Sequence, residues 1–569
     1  MRLLLRVGRL GGPKVRCDAM DTLPDSGLAG DGGRKLSLLD GVSLAAAGAV
    51  LIAFRLHAFD LPLETGECNY AYIGGRLLAG DRLYLDVWDH QPFGIFSLFA
   101  GVIALVGDAP EVFRWLATAF SLGSLALIYA VVRGCAGRGA AITGAVLFAF
   151  ASSDPGTAGE GCNREIYMNT FVLAAWYLAL REGGRRGWTI FASGTALGIG
   201  STLKTIVAVH WVFLAIWIAI NAARGATFRA QCRSVVTTLA MFAAGPAIVW
   251  AGALAYFTVT ERFNEFVDAV FLFNLSYSGS SETFLLRLIR FFSPPRHPFV
   301  FDSALPLWVG LICAAAWLLV DTIRHKSRQS LAILSLILGS YLAICLPGRF
   351  WPHYYYLLVP AAVIAVSTAL GKLVTHLPAF VPSDLRALKY ISLLVYAVFP
   401  AWLFLTEYDS YLHQPPFGIT VNRYNSRDFW GLAHGEHVRC VTDSDDEVFV
   451  FGNEAEIYYY SRRRCASRYT MITGLSAGMG GADRRRAILM SELRARLPRL
   501  IIVLFDEPPW GDWLRFLERH YGEAVGVDRH DQTGKQIMLV YARKDQPIKP
   551  IDWDWDRSEV GGWFPGRNR

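Results

Sequence analysis

The chain of 569 residues has no CxxC or HExxH spacing and no GxxxxGK[ST] loop. Those absences leave out the usual signatures of a zinc centre and of a phosphate-binding loop. A metal site built from Glu67, His90, Cys162 and Glu165 has no spacing behind it; no cofactor is expected, with a divalent metal left open. Charge is sparse, at 18% of residues, and no internal repeat is visible. The start, "MRLLLRVGRLGGPK", is no secretory signal, because its apolar run stops at Gly11, Gly12 and Pro13 without a cleavage site. The net charge of +7 comes from basic residues scattered among short loops rather than gathered on one face. That pattern fits positive-inside bias and gives no reason to expect nucleic acid as a partner.

Apolar side chains are abundant instead, at 53% of residues, with a positive mean hydropathy. A soluble core of this size cannot hide that much, so a bilayer is the expected solvent. Apolar stretches recur at 41–59, 112–132, 139–151, 166–180, 188–203, 206–220, 235–258, 303–320, 331–346, 354–370 and 390–406. They predict an α-helical polytopic membrane protein with about eleven transmembrane helices.

The basic N-terminal tail, residues 1–35, reads as cytoplasmic. The segment 92–107, "PFGIFSLFAGVIALVG", reads as interfacial: if it crossed, the arginine clusters near 133–138, 181–186, 224–233 and 324–328 would all fall outside. The outer loops are then 60–111, 152–165, the turn near 201–205, 259–302 and 347–353. Residues 36–406 form the transmembrane domain. Residues 407–569, with short apolar runs such as "DEVFVF" and "RLIIVLF" beside helical patterns, predict an extracytoplasmic α/β domain.

Two acidic loops share the outer side, "LETGECNYAYIGGRLLAGDRLYLDVWDHQPFG" and "GEGCNREIYMN". Facing them in sign are Lys204 and, in "PGRFWPHYYY", Arg349 and His353. One such residue could be solvated or snorkelling; together, acids and bases at the ends of different spans suit a site that binds a lipid phosphate and activates a nucleophile. Trp351 and Tyr354 to Tyr356 read first as an interfacial aromatic belt, and "YYYSRRR", Tyr458 to Arg464, as a solvated helix end.

These loops, with "LKTIVAVHW" and "GRFWPHYYYLLVP", resemble the four blocks of the bacterial membrane glycosyltransferases related to protein O-mannosyltransferases and the lipid A aminoarabinose transferase. The resemblance runs over about residues 40–370 and implies a GT-C fold in a bacterial plasma membrane. It implies transfer of a hexosyl or pentosyl group from a polyprenyl-phosphate carrier, with inversion, to a protein, lipid or glycan acceptor. It places catalytic carboxylates at Glu67, Glu64 and Glu165, and substrate-binding groups at Lys204, Arg349, His353, His90, Asn163 and Tyr72. Two departures stand out. The family's Asp-Glu pair is Gly66-Glu67 here, so Glu67 has become the base, Glu64 has, or the protein is inactive. The family's "DHKPP" is "DHQPF" here, which removes a cation at Gln91. An outer compartment also permits a Cys68–Cys162 disulfide pinning the two acidic loops, and one between Cys440 and Cys465. A transporter would instead carry ionisable groups near the midplane of broken, repeated helices; an inactive sugar-binding protein of the same fold is the other alternative.

Overall fold

The computed structural model describes residues 37–181, 187–223, 227–278, 282–294, 299–376, 385–413, 427–476, 478–504, 511–522, 525–526 and 538–548. The expected cytoplasmic tail and the segment beyond 548 lie outside them.

All eleven apolar segments are helical. Among the described residues, eight helices are long and apolar enough to cross a membrane. The helices of the first half are α1 (Leu38–Leu56), α2 (Thr65–Leu78), α3 (Phe93–Val106), α4 (Pro110–Ala151), α5 (Arg164–Arg181), α6 (Gly187–Leu203), α7 (Ala208–Ala222) and α8 (Phe228–Val259). A short run follows, α9 (Phe263–Val267), a π-helical turn (Asp268–Leu272), α10 (Phe273–Ser278), α11 (Phe284–Arg290) and α12 (Phe299–Ser303). Then come α13 (Leu305–His325), α14 (Arg328–Cys345), α15 (Pro352–Tyr355), α16 (Val359–His376) and α17 (Leu385–Leu412). Of the segments outside the eight, one is α5, charged at both ends, and the other is α6, only 17 residues long.

The segments 112–132 and 139–151 are two helical halves of α4 that meet at Gly137, whose non-helical φ of 83° is open to glycine at little cost. The break puts Arg133 and Arg138 on the same carboxylate. Asp40, fully buried, accepts from Arg133 Nε at 3.1 Å, Arg138 Nε at 2.9 Å and the Tyr129 hydroxyl at 2.7 Å. Asp40 also takes the Ser37 N–H at 2.9 Å, closing a capping box that starts α1.

The segment 92–107, expected to be interfacial, forms α3, 14 residues or about 21 Å at 1.5 Å per residue, against about 30 Å of hydrocarbon. It buries Ile95, Phe96, Phe99 and Ala100 and leaves Leu105 and Val106 exposed.

The C-terminal domain comprises α18 (Arg427–Val441), β1 (Glu447–Phe451), α19 (Glu456–Ser461), β2 (Arg464–Cys465), α20 (Ala482–Arg496), β3 (Leu500–Val503), α21 (Gly511–His520), β4 (Val525–Gly526) and β5 (Leu539–Ala542). Its sheet has the order β2-β1-β3-β5-β4, parallel from β2 to β3 and antiparallel beyond. The central strands are uninterrupted apolar runs because both faces are covered.

"YYYSRRR" is not a solvated helix end: Tyr458, Tyr459 and Tyr460 are packed inward and dock this domain on the outer loops. The Tyr460 hydroxyl accepts the Leu63 N–H at 2.8 Å, Tyr459 bonds the Asp108 carbonyl, and Thr65 Oγ1 donates to Glu456 Oε1 at 2.6 Å. The tyrosines serve here because each joins a ring that fills the interface to a hydroxyl that caps backbone.

Replacing Asp40 by Ala leaves Arg133 and Arg138 without their shared acceptor. The expected loss is about 3 kcal/mol, read as a lower melting temperature in lipid discs.

Candidate active site

The first acidic loop is organised around Glu67, which is 1% exposed. Glu64 is the N-cap of α2 and Glu67 its third residue. Glu67 Oε2 accepts the Glu64 N–H at 3.2 Å. The same carboxylate reaches across to α4, where Arg114 Nη2 lies 3.4 Å from Oε2, and to the second acidic loop, where the Cys162 N–H donates to Oε1 at 2.5 Å. A Cβ at Gly161 would sit 2.6 Å from Glu67 Oε1, so only glycine allows this approach. Arg55, buried at the end of α1, holds the second loop from its other side. It donates to the carbonyls of Ser152, Gly159 and Gly161 at 3.1, 2.7 and 2.8 Å.

The pinned loop runs straight into α5 and sets its first residues. Arg164 Nη1 donates to the Tyr70 hydroxyl at 2.9 Å, and Glu165 forms a buried ion pair with Lys204. Lys204 stands in extended backbone between α6 and a 3-10 turn, and this break in the helical hairpin turns its ammonium back onto α5. Its Nζ also lies 3.5 Å over the Tyr354 ring. Burial opposes the charge on Glu165, but Lys204, His353 and Arg164 outweigh it and hold the carboxyl below the usual range. Asn163 Nδ2, Arg164 Nε and Glu165 Oε2 are all buried and have no hydrogen-bond partner among the described residues. Three orphaned polar atoms in consecutive residues mark a place built for something else to bind.

A third element is the turn Asp89-His90-Gln91. Asp89 Oδ1 accepts the Gln91 N–H at 2.8 Å, and Oδ2 accepts Asn69 Nδ2 at 2.6 Å. Asn69 in turn accepts from Thr470 Oγ1 of the C-terminal domain at 2.7 Å. The His90 ring packs on Phe273 and Tyr277, and Arg349 lies 4.1 Å over the Tyr277 ring while donating to its carbonyl at 2.9 Å. Burial pushes the Asp89 carboxyl up to about 6. Burial, with Arg164, Lys204, Arg349 and Arg485 nearby, holds the His90 imidazole down at about 3. At neutral pH an ionised Asp89 thus sits beside a neutral imidazole.

Of the residues singled out in the sequence, Glu165 lies within electrostatic range of Lys204 and His353, and His90 within range of Lys204 and Arg349. Asn163 precedes Arg164 at the start of α5. Glu67 does not present a carboxylate: its oxygens are taken by Arg114, Cys162 and Glu64. Tyr72 turns away to the C-terminal domain, its hydroxyl accepting the Cys465 N–H at 2.8 Å, and so is a docking residue rather than a substrate contact. Cys68 and Cys162 are thiols, not a disulfide; Cys68 Sγ bonds the Leu63 carbonyl at 3.4 Å and the Glu67 carboxylate ties the loops instead. Cys440 and Cys465 are likewise unbridged. Tyr354, Tyr355 and Tyr356 are buried, not arrayed as a membrane-facing belt. Among the described residues no three His, Cys, Asp or Glu side chains gather as a metal site.

Sequence reasoning passed over Arg55, Arg114, Arg164 and Asp89. The signal for the first two was available. Both sit at span ends that charge bias assigns to the outside, where an arginine needs a specific partner.

This bundle, with its outer-loop site and appended α/β domain, is that of a membrane protein of the GT-C fold. More particularly, residues 90–250 match the family model described as dolichyl-phosphate-mannose-protein mannosyltransferase. The resemblance drawn from the four sequence blocks therefore stands. The ArnT of Cupriavidus metallidurans, solved bound to undecaprenyl phosphate, superposes with a TM-score of 0.54 at 14% identity, over 88% of this chain and 97% of that one. An oligosaccharyltransferase of Archaeoglobus fulgidus, solved tethered to an acceptor peptide, is also similar, with a TM-score of 0.48 at 14% identity over 90% of this chain and 76% of that one. No curated protein matches the chain in sequence.

Two outcomes are expected. Glu67→Ala removes the charged partner of buried Arg114, which keeps only the Pro62 and Glu160 carbonyls, and leaves the Cys162 N–H without its acceptor, a cost of about 3–5 kcal/mol. Glu64→Gln keeps the fold, and a melting curve of each separates them. The second concerns Asp89, whose folded pKa of about 6 lies above its unfolded 3.8. Its contribution to stability is full below the lower value and is lost as pH rises through the upper one. The melting temperature of wild type minus that of Asp89→Asn is therefore expected to fall from about pH 4 to about pH 6.5; a rise of that quantity over the range contradicts the assignment.

Proposed function

We propose that the protein is an inverting glycosyltransferase that moves a hexosyl or pentosyl group from a polyprenyl monophosphate to an acceptor hydroxyl at the outer face of a bacterial plasma membrane. The N-terminus is then cytoplasmic and the C-terminal domain extracytoplasmic. The donor class follows from the match at residues 90–250 to a family named for a polyprenyl-phosphate sugar, and from the lipid phosphate bound to the ArnT of the same fold.

The observation that carries this reading is the place of Glu64. Glu67 is locked into the loops, and the preceding position, where the family has an Asp, is Gly66. A Cβ built at Gly66 lies 3.5 Å from the Tyr70 hydroxyl and 3.9 Å from Glu64 Oε1. One oxygen of the Glu64 carboxylate thus borders the space a side chain at position 66 would enter, beside the hydroxyl that Arg164 holds, and this supports Glu64 as the base.

In the reaction the acceptor oxygen attacks the anomeric carbon while its proton passes to Glu64. The bond from that carbon to the phosphate oxygen breaks with its electron pair on phosphate, which leaves as polyprenyl monophosphate. Phosphate needs cations more than it needs a proton; Arg349 supplies positive charge there, while Lys204 neutralises Glu165, with His353 and the neutral His90 as hydrogen-bonding groups. Glu165, held ionised by Lys204, offers Oε2 to orient the acceptor.

Release of polyprenyl monophosphate from a panel of polyprenyl-phosphate sugars, by the protein in lipid discs with native membranes as acceptor source, tests this. Release with at least one donor, falling by about 10²–10⁴-fold in Glu64→Gln, is expected. Unchanged release from Glu64→Gln removes the base assignment, and no release by the folded wild type with any donor overturns the reading.

A further inference from the structure

The turn at 89–91 lacks the lysine that the related sequences carry at position 91, and a phosphate carried by an uncharged lipid tail still needs a partner of opposite sign there. Gln91 does not provide it: its Nε2 sits 2.7 Å from His90 Nε2, on a neutral ring. Lys204 is committed to Glu165, and Arg349 to the carbonyl and ring of Tyr277. Arg164 is different. It is 5% exposed, and its one hydrogen bond among the described residues runs from Nη1 to the Tyr70 hydroxyl. Its Nε stands 3.7 Å from Glu165 Oε1, too far to bond, and has no partner. The preceding residue repeats the pattern: Asn163 is 3% exposed and its Nδ2 is also unpartnered. A buried guanidinium with an open edge is costly to keep unless a ligand completes it. The planar N–H fork matches two oxygens of a phosphate.

We propose that Asn163 and Arg164, where α5 begins, form the seat of the carrier's phosphate and supply the positive charge that Gln91 lacks. The proposal rests on the polyprenyl-phosphate reading above. The groups that face this seat are the Tyr70 hydroxyl from α2, Asp89 and His90 from the turn, Glu165 on α5 itself, Lys204 after α6, and Tyr354 from α15. Glu165 pairs with Lys204, and the ionised Asp89 offsets one of the two remaining guanidiniums, Arg164 and Arg349, so a net positive charge is left for the ligand's phosphate. The carrier's depressed partner His90 carries no charge at neutral pH and adds only a hydrogen bond.

The test is binding of undecaprenyl monophosphate against undecaprenol, its uncharged counterpart, to the full-length protein in lipid discs. Wild type is expected to prefer the phosphate. Arg164→Gln weakens phosphate binding at least tenfold and leaves undecaprenol unchanged. Adding Gln91→Lys to Arg164→Gln restores binding to within about threefold of wild type, because the charge returns from the turn. Equal phosphate binding by Arg164→Gln and wild type, equal loss of both lipids, or no recovery with Gln91→Lys overturns the seat. Should Arg164→Gln fail to fold, Asn163→Ala carries the test: a several-fold loss confined to the phosphate supports the seat, and unchanged binding overturns it. A wild type with no preference for the phosphate fails the donor reading itself, which separates that outcome from failure of the seat alone.

Discussion

The buried contact between the Glu67 carboxylate and Arg114, shared with the Cys162 N–H, is the constraint on which the outer architecture depends. It links α2, α4 and the second acidic loop through one side chain. A lone buried carboxylate is expensive, and so is a lone buried guanidinium. Paired, each satisfies the other, and the remaining lone pairs go to backbone N–H groups. Because the next residues after this loop are Arg164 and Glu165, fixing Cys162 also fixes where α5 starts and which way its first side chains stand. The site is thus a consequence of a structural ion pair one helical turn away from it.

That division of labour explains how charged groups can be both buried and available. Arg55 and Glu67 spend their polar atoms on partners in the loops, and Arg114 does so through both terminal nitrogens, leaving only its Nε unmatched. Arg164, Glu165 and Asn163, a few residues on, each keep one polar atom unmatched. The C-terminal domain belongs to the same frame. Thr470 bonds Asn69, 401 positions before it, and Asn69 bonds Asp89, so the C-terminal domain stands behind the turn at Asp89. Arg485 adds a second strut, reaching Asp268 at 3.1 Å and lying over Trp88 and Phe273. A domain docked through such side chains orders the active loops without covering them with apolar surface.

Much of the fold was legible in the sequence because it rests on hydropathy runs and loop charge, which are local. Every apolar segment became a helix, and the short strands "VFVF" and "LIIV" became the centre of the sheet. What was not legible depended on pairings between distant residues. Glu67 and Arg114 carry no local mark of partnership, and the Cys68 and Cys162 thiols suggested a bridge whose work an ion pair does. The tyrosines of "YYYSRRR" and of "PHYYY" read as exposed because aromatic residues beside charges look alike whether they meet lipid, solvent or another domain. Lys204, Glu165 and Arg349 stood out in the sequence because a cation or an acid at the end of an apolar run is rare, and the structure pairs the first two. Asp89 and Arg164 were missed beside them because each lay next to a residue that drew attention first.

The central claim is that the Glu64 carboxylate stands in for one at position 66. Its most direct test is turnover by a double variant in which Glu64→Gln is combined with Gly66→Asp, with sugar-dependent release of polyprenyl monophosphate as the readout. If Glu64 fills that place, the new aspartate restores release that Glu64→Gln alone abolishes. Glu64→Gln without loss, or a folded double variant that stays inactive while Glu64→Gln is inactive, contradicts the claim.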